Sequence, residues 1–493
     1  MRKRVVAIVV VAALVGLAVA AVPLLEKYAA SQIKAEIERD GTAKVAEVEV
    51  GLFARRVTLV GLRSGRMGGT LSIGRWDAAG LDWPLSELLA GRTPLTGFRL
   101  GDPLLAGRIE LRDVRMAEPA GGAAWSVEQL VVEGLDLARY DGEIAGPYLY
   151  TMLVARLAGA LSFRRLEQKN LIYSAALTGD TVGIGALTVE RFERGRIGSI
   201  AIANLEAAAR DGHEPALRMA EAKATGLDLG RVVAALSAAS WLPGYPMGGA
   251  GLEAASAAGF GGELFSRYGV SLGGITYDTV REGAEVSRGR LRVDGFVLAP
   301  PLRGMENLQV RLALTSMGLK DLRLGFECAG LEDRRLGEVT IDRCALEGVE
   351  LGEINLTGKL VQLDPLFWAA IDSGDTGLLA DTKAALGSAR LVLADKSLLD
   401  RSLRALAAAT GQTVAVTRSN LARDIRRFQP AGVLITEELT KLLDTAARFV
   451  EQGGKLTLDA RPEPPFGIDK IRLLQNPGPD LVEVLGLSAT LSR

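Results

Sequence analysis

From about Thr42 to Val361 the dominant spacing of apolar residues is two, as in Val48 and Val50, Val57 and Leu59, Ile109 and Leu111, and Leu291 and Val293. Alternation of this kind, punctuated by glycine, is the pattern of half-buried strands joined by tight turns. A chain with this period is committed to sheet, and a sheet with one apolar face must cover that face with something. The expected fold is therefore α+β, mainly β, with a long twisted antiparallel sheet.

One phrase recurs along this region: an apolar residue, a glycine, any residue, then two alternating apolar positions. It reads Ile73-Gly74-Arg75-Trp76, Ile184-Gly185-Ala186-Leu187 and Ile197-Gly198-Ser199-Ile200, with Ile202 continuing the last. It returns as Leu336-Gly337-Glu338-Val339 with Ile341, and as Leu351-Gly352-Glu353-Ile354 with Leu356. The three-residue step breaks strict alternation. A β-bulge with the glycine left-handed restores the facing, and only glycine adopts that conformation cheaply. On this reading Ile200, Ile202, Val339, Ile341, Ile354 and Leu356 form a candidate apolar sheet face, and the strands are Gly-marked repeats.

A second phrase, Gly80-Leu81-Asp82, Gly134-Leu135-Asp136 and Gly226-Leu227-Asp228, is expected to close strands, with Leu363-Asp364-Pro365 as a relative. Aspartate caps the free N–H groups of a helix start and proline suits the first helical position. Short helices are therefore predicted over 84–90, 229–239 and 365–372, with another over 147–161. Beyond Asp364 the period changes to 3.6, predicting helices over 397–410, 419–429 and 436–452. In the last, Leu439, Leu442, Leu443, Ala446, Phe449 and Val450 make one stripe. Two closing strands, 456–460 and 482–491, complete a helical block packed on the sheet.

The N-terminus reads Met1-Arg2-Lys3-Arg4, then an uncharged run from Val5 through Leu14 to Leu25. At ~1.5 Å per residue this run can cross the ~30 Å hydrocarbon core of a bilayer. The basic flank stays cytoplasmic by the positive-inside rule, which exports the rest. A cleaved signal peptide is the rival, with Ala18-Val19-Ala20 as the site. The length of the run and its unbroken passage into a helical pattern favour a retained anchor. The resulting division is 1–25 membrane anchor, 26–40 juxtamembrane helix, 41–362 repeated β-rich domain, and 363–493 helical block with two closing strands.

Composition removes several functions. With 58 Lys+Arg against 59 Asp+Glu the net charge is −1, and neither the total nor any long run supplies the basic surface that a nucleic-acid binder needs. One histidine, His213, and two cysteines cannot assemble a zinc site. Gly269-Val270-Ser271-Leu272-Gly273 spells a nucleophile elbow, but a strand-like stretch follows it and the only histidine precedes it. Gly249-Ala250-Gly251-Leu252-Glu253-Ala254 follows a turn rather than a buried strand, and Gly454-Lys455 lacks the rest of a phosphate loop. No enzyme activity and no cofactor are expected. Cys328 and Cys344 can pair in an oxidising compartment or remain buried thiols.

The single N-terminal span, the short helix after it, the passage Val45 to Leu62, the stretch from Gly80-Leu81-Asp82 to Ile109-Glu110-Leu111 and the Gly-marked strands resemble the AsmA-like group of envelope proteins, which includes TamB. The likeness covers residues 1–120 and continues more loosely to 361. The YdgA-like family shares the layout. The resemblance implies a single-pass protein of a bacterial inner membrane, its bulk in the periplasm, with a curved sheet whose apolar face is linked to phospholipid traffic and outer-membrane upkeep. Its partners would be the inner membrane, phospholipid and other envelope proteins. Two functions follow: binding or shielding acyl chains along the sheet, or docking envelope proteins as a non-catalytic scaffold.

Overall fold

The computed structural model describes residues 22–492 except 66–68, 83, 85, 88–89, 91–100, 119–121, 143–148, 176–177, 210–213, 238–250, 284, 303–306, 374–375, 430–434, 468–469 and 471–480. Val5, Leu14, His213, Gly249 and Ala250 lie outside these residues, and so does part of the expected 84–90 helix. The fold is mainly β, about 50% strand and 27% helix. Two compact units divide near residues 217–246: residues 1–216 with 223–245, and 217–222 with 246–493. The boundary read at 362 instead marks where helices become frequent.

In the first unit, helix α1 (residues 22–38) precedes β1 (Ala43–Lys44), β2 (Glu47–Gly51), β3 (Arg56–Ser64), β4 (Thr70–Ala79), β5 (Leu104–Ala117) and β6 (Ala124–Leu137). Helix α2 (Leu149–Ala160) leads to β7 (Leu161–Ser174), β8 (Thr181–Glu193) and β9 (Arg196–Ala208). Strands β2 to β9 pair in sequence order as an antiparallel meander, with β1 also on β3. Ala29 and Ile33 of α1, both fully buried, seat on Val45, Val50, Val57 and Leu59. Carboxylates of Glu26 and Glu38 accept the N–H groups of Leu52 and Val45, each at 3.1 Å, and fix the helix to the sheet.

The three-residue steps are real, but the glycines do not work as expected. Gly74, Gly185 and Gly198 have ordinary φ. The left-handed residues stand on neighbouring strands: Asp113 (φ 51) faces Gly74, Asn170 (φ 50) and Asn204 (φ 53) flank Gly185, and Arg191 (φ 55) faces Gly198. A Cβ added at Gly74 would lie 2.9 Å from Asp113 Cβ, and one at Gly185 or Gly198 would lie 3.0 Å from Asn204 Cβ or Arg191 Cβ. The glycine makes room for the side chain, from Cβ outward, of the left-handed residue opposite and does not itself turn.

These positions align across the sheet. Gly61, Gly74, Asp113, Glu128, Asn170, Gly185 and Asn204 face one another strand by strand, and Gly61, Asp113, Asn170 and Asn204, on alternate strands, are left-handed. A second row runs through Gly80, Gly107, Gly134, Arg164, Arg191 and Gly198, with Gly80, Gly134 and Arg191 left-handed. Registers stay constant across both rows, so no residue is bulged out. Each strand shifts its pleat by one where its neighbours do, which keeps Leu62, Ile73, Val114, Val127, Leu171 and Ile184 on the core face. The Gly80 and Gly134 phrases belong to this row. Asp136 is the penultimate residue of β6, opposite Ser162, Asp228 is the last of the strand Leu217–Asp228 and Gly80 directly follows β4, so the phrases stand at strand ends as expected.

β10 (Leu217–Asp228) spans the division between the units, and α3 (Gly230–Ser237) follows it. Asp228 accepts the Gly230 N–H at 2.8 Å, the expected cap. The second unit continues with β11 (Ala254–Gly261), α4 (Glu263–Tyr268), β12 (Val270–Ser271), β13 (Gly274–Glu282), β14 (Val286–Leu298) and α5 (Leu308–Ser316). Then come β15 (Leu322–Asp333), β16 (Glu338–Gly348), β17 (Gly352–Val361), α6 (Pro365–Ser373) and β18 (Ala385–Asp395). Last are α7 (Leu398–Thr410), α8 (Val414–Arg426), α9 (Glu437–Gln452), β19 (Lys455–Ala460), β20 (Phe466–Gly467), α10 (Leu481–Val484) and β21 (Leu487–Ser492).

Here the pairing is again antiparallel, β13 through β19 in order and then β21. Register shifts between Val293 and Phe296, Ala329 and Gly330, Ile341 and Cys344, and Lys359 and Leu360 are true irregularities of the bulge kind. Gly337 and Gly352 have positive φ but lie at the strand starts, so the five phrases split into two structural roles. Strand β18 and helices α4 and α5 were not foreseen. Asp364 accepts the Phe367 N–H at 2.9 Å and starts α6, where Phe367 and Trp368 pack with Val339 and Leu360.

Candidate functional site: an apolar groove on the second unit

The groove forms where the sheet face of β15–β18 meets α7 and α9. Registers place Leu346, Ile354 and Leu393 side by side on β16, β17 and β18, with Leu324 opposite Gly348. Directly opposed residues of an antiparallel pair share a face, so these form one apolar floor. Leu398 and Leu399 of α7 and Phe449 of α9 complete a cavity of about 370 Å³. That volume lies within the ~300–1,000 Å³ typical of small-molecule sites. Glu353, Asp395 and Ser402 are its only charged or hydroxyl lining residues among those described. Leu346 and Ile354 each remain 40% exposed, and Leu356 beside them 38%.

The helical wall is positioned by the turn between β16 and β17. The buried Leu351 offers its carbonyl to the N–H groups of Lys396, Ser397 and Leu398 at 3.0, 3.0 and 3.1 Å. Ser397 Oγ donates to the Glu350 carbonyl at 2.7 Å, and Asp395 accepts the Leu399 N–H at 2.8 Å. The helix therefore starts under control of the sheet turn, with Asp395 rather than Ser397 receiving an N–H of its first turn. A Cβ at Gly352 (φ 141) would come 2.3 Å from the Ala394 carbonyl oxygen, so glycine is required for β17 to meet β18 there.

Helix α9 does not bury a single stripe. Leu439 and Val450 are buried as expected, but so are Thr445 and Ala447, because α8 packs Ala422, Leu421 and Ile425 against Ala447 and Val450. Phe449 is thereby left half-buried toward the groove. Below the floor, Glu353 is ion-paired with Arg343 at 3.1 Å, and Arg343 also reaches Glu347 at 2.5 Å. The Glu353 charge at the groove is thus matched by Arg343.

Of the residues singled out in the sequence, Ile354 and Leu356 lie on this open face. Val339 lies on it too but is packed by α6, and Ile341 stands opposite Gly358. Ile200 and Ile202 are half-buried on the apolar face of the first unit, opposite Val189 and Leu187. Cys328 and Cys344 are opposite one another on β15 and β16 and are disulfide-bonded. Leu25 is 42% exposed in α1. No helix among the described residues is long and apolar enough to cross a membrane. Ser271 pairs with Val297 within the sheet, after a helix instead of before one, which is the reverse of a nucleophile elbow. The groove residues Leu346, Leu393, Leu398 and Leu399 were missed; alternation in Leu391 and Leu393 was the available signal.

A family model described as an uncharacterized protein matches residues 345–492. That span contains Leu346, Ile354, Leu393, Leu398, Leu399 and Phe449, and leaves out Leu322 and Leu324. No curated protein matches the chain.

Proposed function

We propose that the chain is a membrane-anchored, non-catalytic periplasmic protein of the AsmA-like kind that binds or shields lipid acyl chains with its apolar sheet face. The observation that carries this reading is the groove floored by Leu346, Ile354 and Leu393, apolar and open at Ile354. A half-exposed row of large aliphatic side chains is unfavourable in water, and each methylene buried along it contributes about 0.8 kcal/mol of stabilisation. An acyl chain fits such a floor because it needs no hydrogen-bond partner. The AsmA-like cadence of residues 1–120, the Val5–Leu25 segment and the Cys328–Cys344 bond agree with a place across an inner membrane.

Native mass spectrometry with lipid extraction, on the full chain purified in mild detergent, tests this. Co-purifying phospholipid in stoichiometric amount is expected, and Ile354→Lys should release it while the thermal unfolding midpoint holds, since Ile354 is already 40% exposed. A lipid-free chain carrying a defined protein partner would replace the lipid reading with the docking scaffold.

A further inference from the structure

The larger cavity lies at one end of the first unit's sheet, has a volume of about 620 Å³, and differs chemically from the groove. Lys44 is opposite Arg63, Arg63 opposite Ser72, Ser72 opposite Arg115, and Arg115 opposite Ser126. One transverse row on one face thus carries three cations and two hydroxyls on five successive strands. Its neighbours Leu62, Leu71, Ile73, Val114 and Val127 pack into the core, so the row occupies the opposite, solvent-facing side.

Several other cations on that face are matched. Arg56 pairs with Asp77, Arg75 with Glu49 and Asp77, Arg108 with Glu110 and Glu133, Arg112 with Glu110, and Arg165 with Glu167. No carboxylate lines the end cavity among the described residues. Lys44, Arg63 and Arg115 are all exposed and form no ion pair or side-chain hydrogen bond among the described residues. Like charges directly opposed across a ladder destabilise it, and Lys44 against Arg63 is such a pair. With strands ~4.8 Å apart, Arg63 and Arg115 stand about 10 Å from each other across Ser72. Two long guanidinium side chains at that spacing can close on one oxyanion above the serine, and guanidinium forks suit phosphate oxygens.

We propose that this row is an oxyanion site, taking a phosphate group, either free or as the headgroup of an anionic lipid. Ile172, opposite Ser126 and 50% exposed, supplies an apolar margin on the same face as the cations. The site is independent of the groove on the second unit.

The test uses the full chain in nonionic detergent, titrated with inorganic phosphate and, separately, with mixed micelles containing phosphatidylglycerol or phosphatidylcholine. Binding is read by calorimetry and by the shift in unfolding midpoint. Phosphate, phosphatidylglycerol or both should bind, weaken with added salt, and lose at least about tenfold in affinity in Arg63→Gln/Arg115→Gln, given the strength of charged hydrogen bonds. Arg165→Gln should bind as the parent does. Binding of phosphate alone assigns a free anion, and binding of phosphatidylglycerol alone assigns a headgroup. Without titrant, Arg63→Gln should raise the midpoint, because the repulsion with Lys44 is gone. If the double variant fails to fold, Lys44→Gln serves in its place. Failure of both titrants to bind, or undiminished binding by the variants, would overturn the site.

Discussion

Gly74→Ala tests whether ordinary glycines in the first unit exist to admit left-handed neighbours. The new Cβ would lie 2.9 Å from Asp113 Cβ and 3.1 Å from Asp113 Oδ2, with the Arg112 carbonyl at 3.4 Å. Carbon atoms prefer ~3.5–4.0 Å, and both Cβ positions are set by backbone, so rotamer changes cannot relieve the contact. Overpacking of this kind costs ~1–3 kcal/mol, offset by ~0.4–1 kcal/mol from the stiffer unfolded chain. The net expectation is about 1–2 kcal/mol of destabilisation. Asp113→Gly alone removes left-handed strain of about 1 kcal/mol but adds glycine flexibility of ~0.5–1 kcal/mol, leaving a change near zero. In the double variant the clash has no partner atom, so stability should return close to that of the parent. The coupling between the two substitutions should therefore be about 1–2 kcal/mol in the rescuing direction. Because the chain has two compact units, local opening measured by hydrogen exchange at amides of β4 and β5 is the suitable assay. A neutral Gly74→Ala, or a double variant as unstable as the two singles combined, would refute the reasoning.

Further outcomes follow from other contacts. Burial alone would push the Glu110 carboxyl up, but hydrogen bonds from Arg112, Gln129 and Arg108 outweigh it and lower its pKa from 4.5 to about 2. A depressed pKa stabilises the fold above 4.5, and that contribution should fade as pH falls from 4.5 to about 2; Glu110→Gln should flatten this part of a midpoint-against-pH curve. Trp368 is 9% exposed, lies under Arg334 at 4.8 Å, and has a buried Nε1 with no hydrogen-bond partner among the described residues. Trp368→Ala should cost about 3–5 kcal/mol in denaturant unfolding, whereas Trp368→Phe, which also removes the unsatisfied donor, should cost much less. Reducing Cys328–Cys344, whose residues are 16 apart, should lower stability of the second unit by about 3 kcal/mol, read as an earlier urea transition under reductant.

Most strands and helices, and the facing of their side chains, were legible in the chain's own periodicity, although β18, α4 and α5 were not. Alternation in Val57–Leu59 and Ile109–Leu111 marked strands, Asp228 and Asp364 marked helix starts, and the three-residue steps marked where the pleat changes phase, because these follow from the period of one chain segment. Glycine roles were not legible in the same way. Gly74 and Gly352 sit in like phrases, yet one admits Asp113 and the other starts a strand against Ala394. What a missing Cβ is for depends on the atom across the ladder, and that atom comes from a distant part of the sequence. The same holds for both candidate sites. Leu346, Ile354, Leu393 and Phe449 become one groove, and Lys44, Arg63 and Arg115 one charged row, only through strand order and register. Periodicity states which side a residue faces, while register, set by packing of whole strands and helices, decides which residues it faces there.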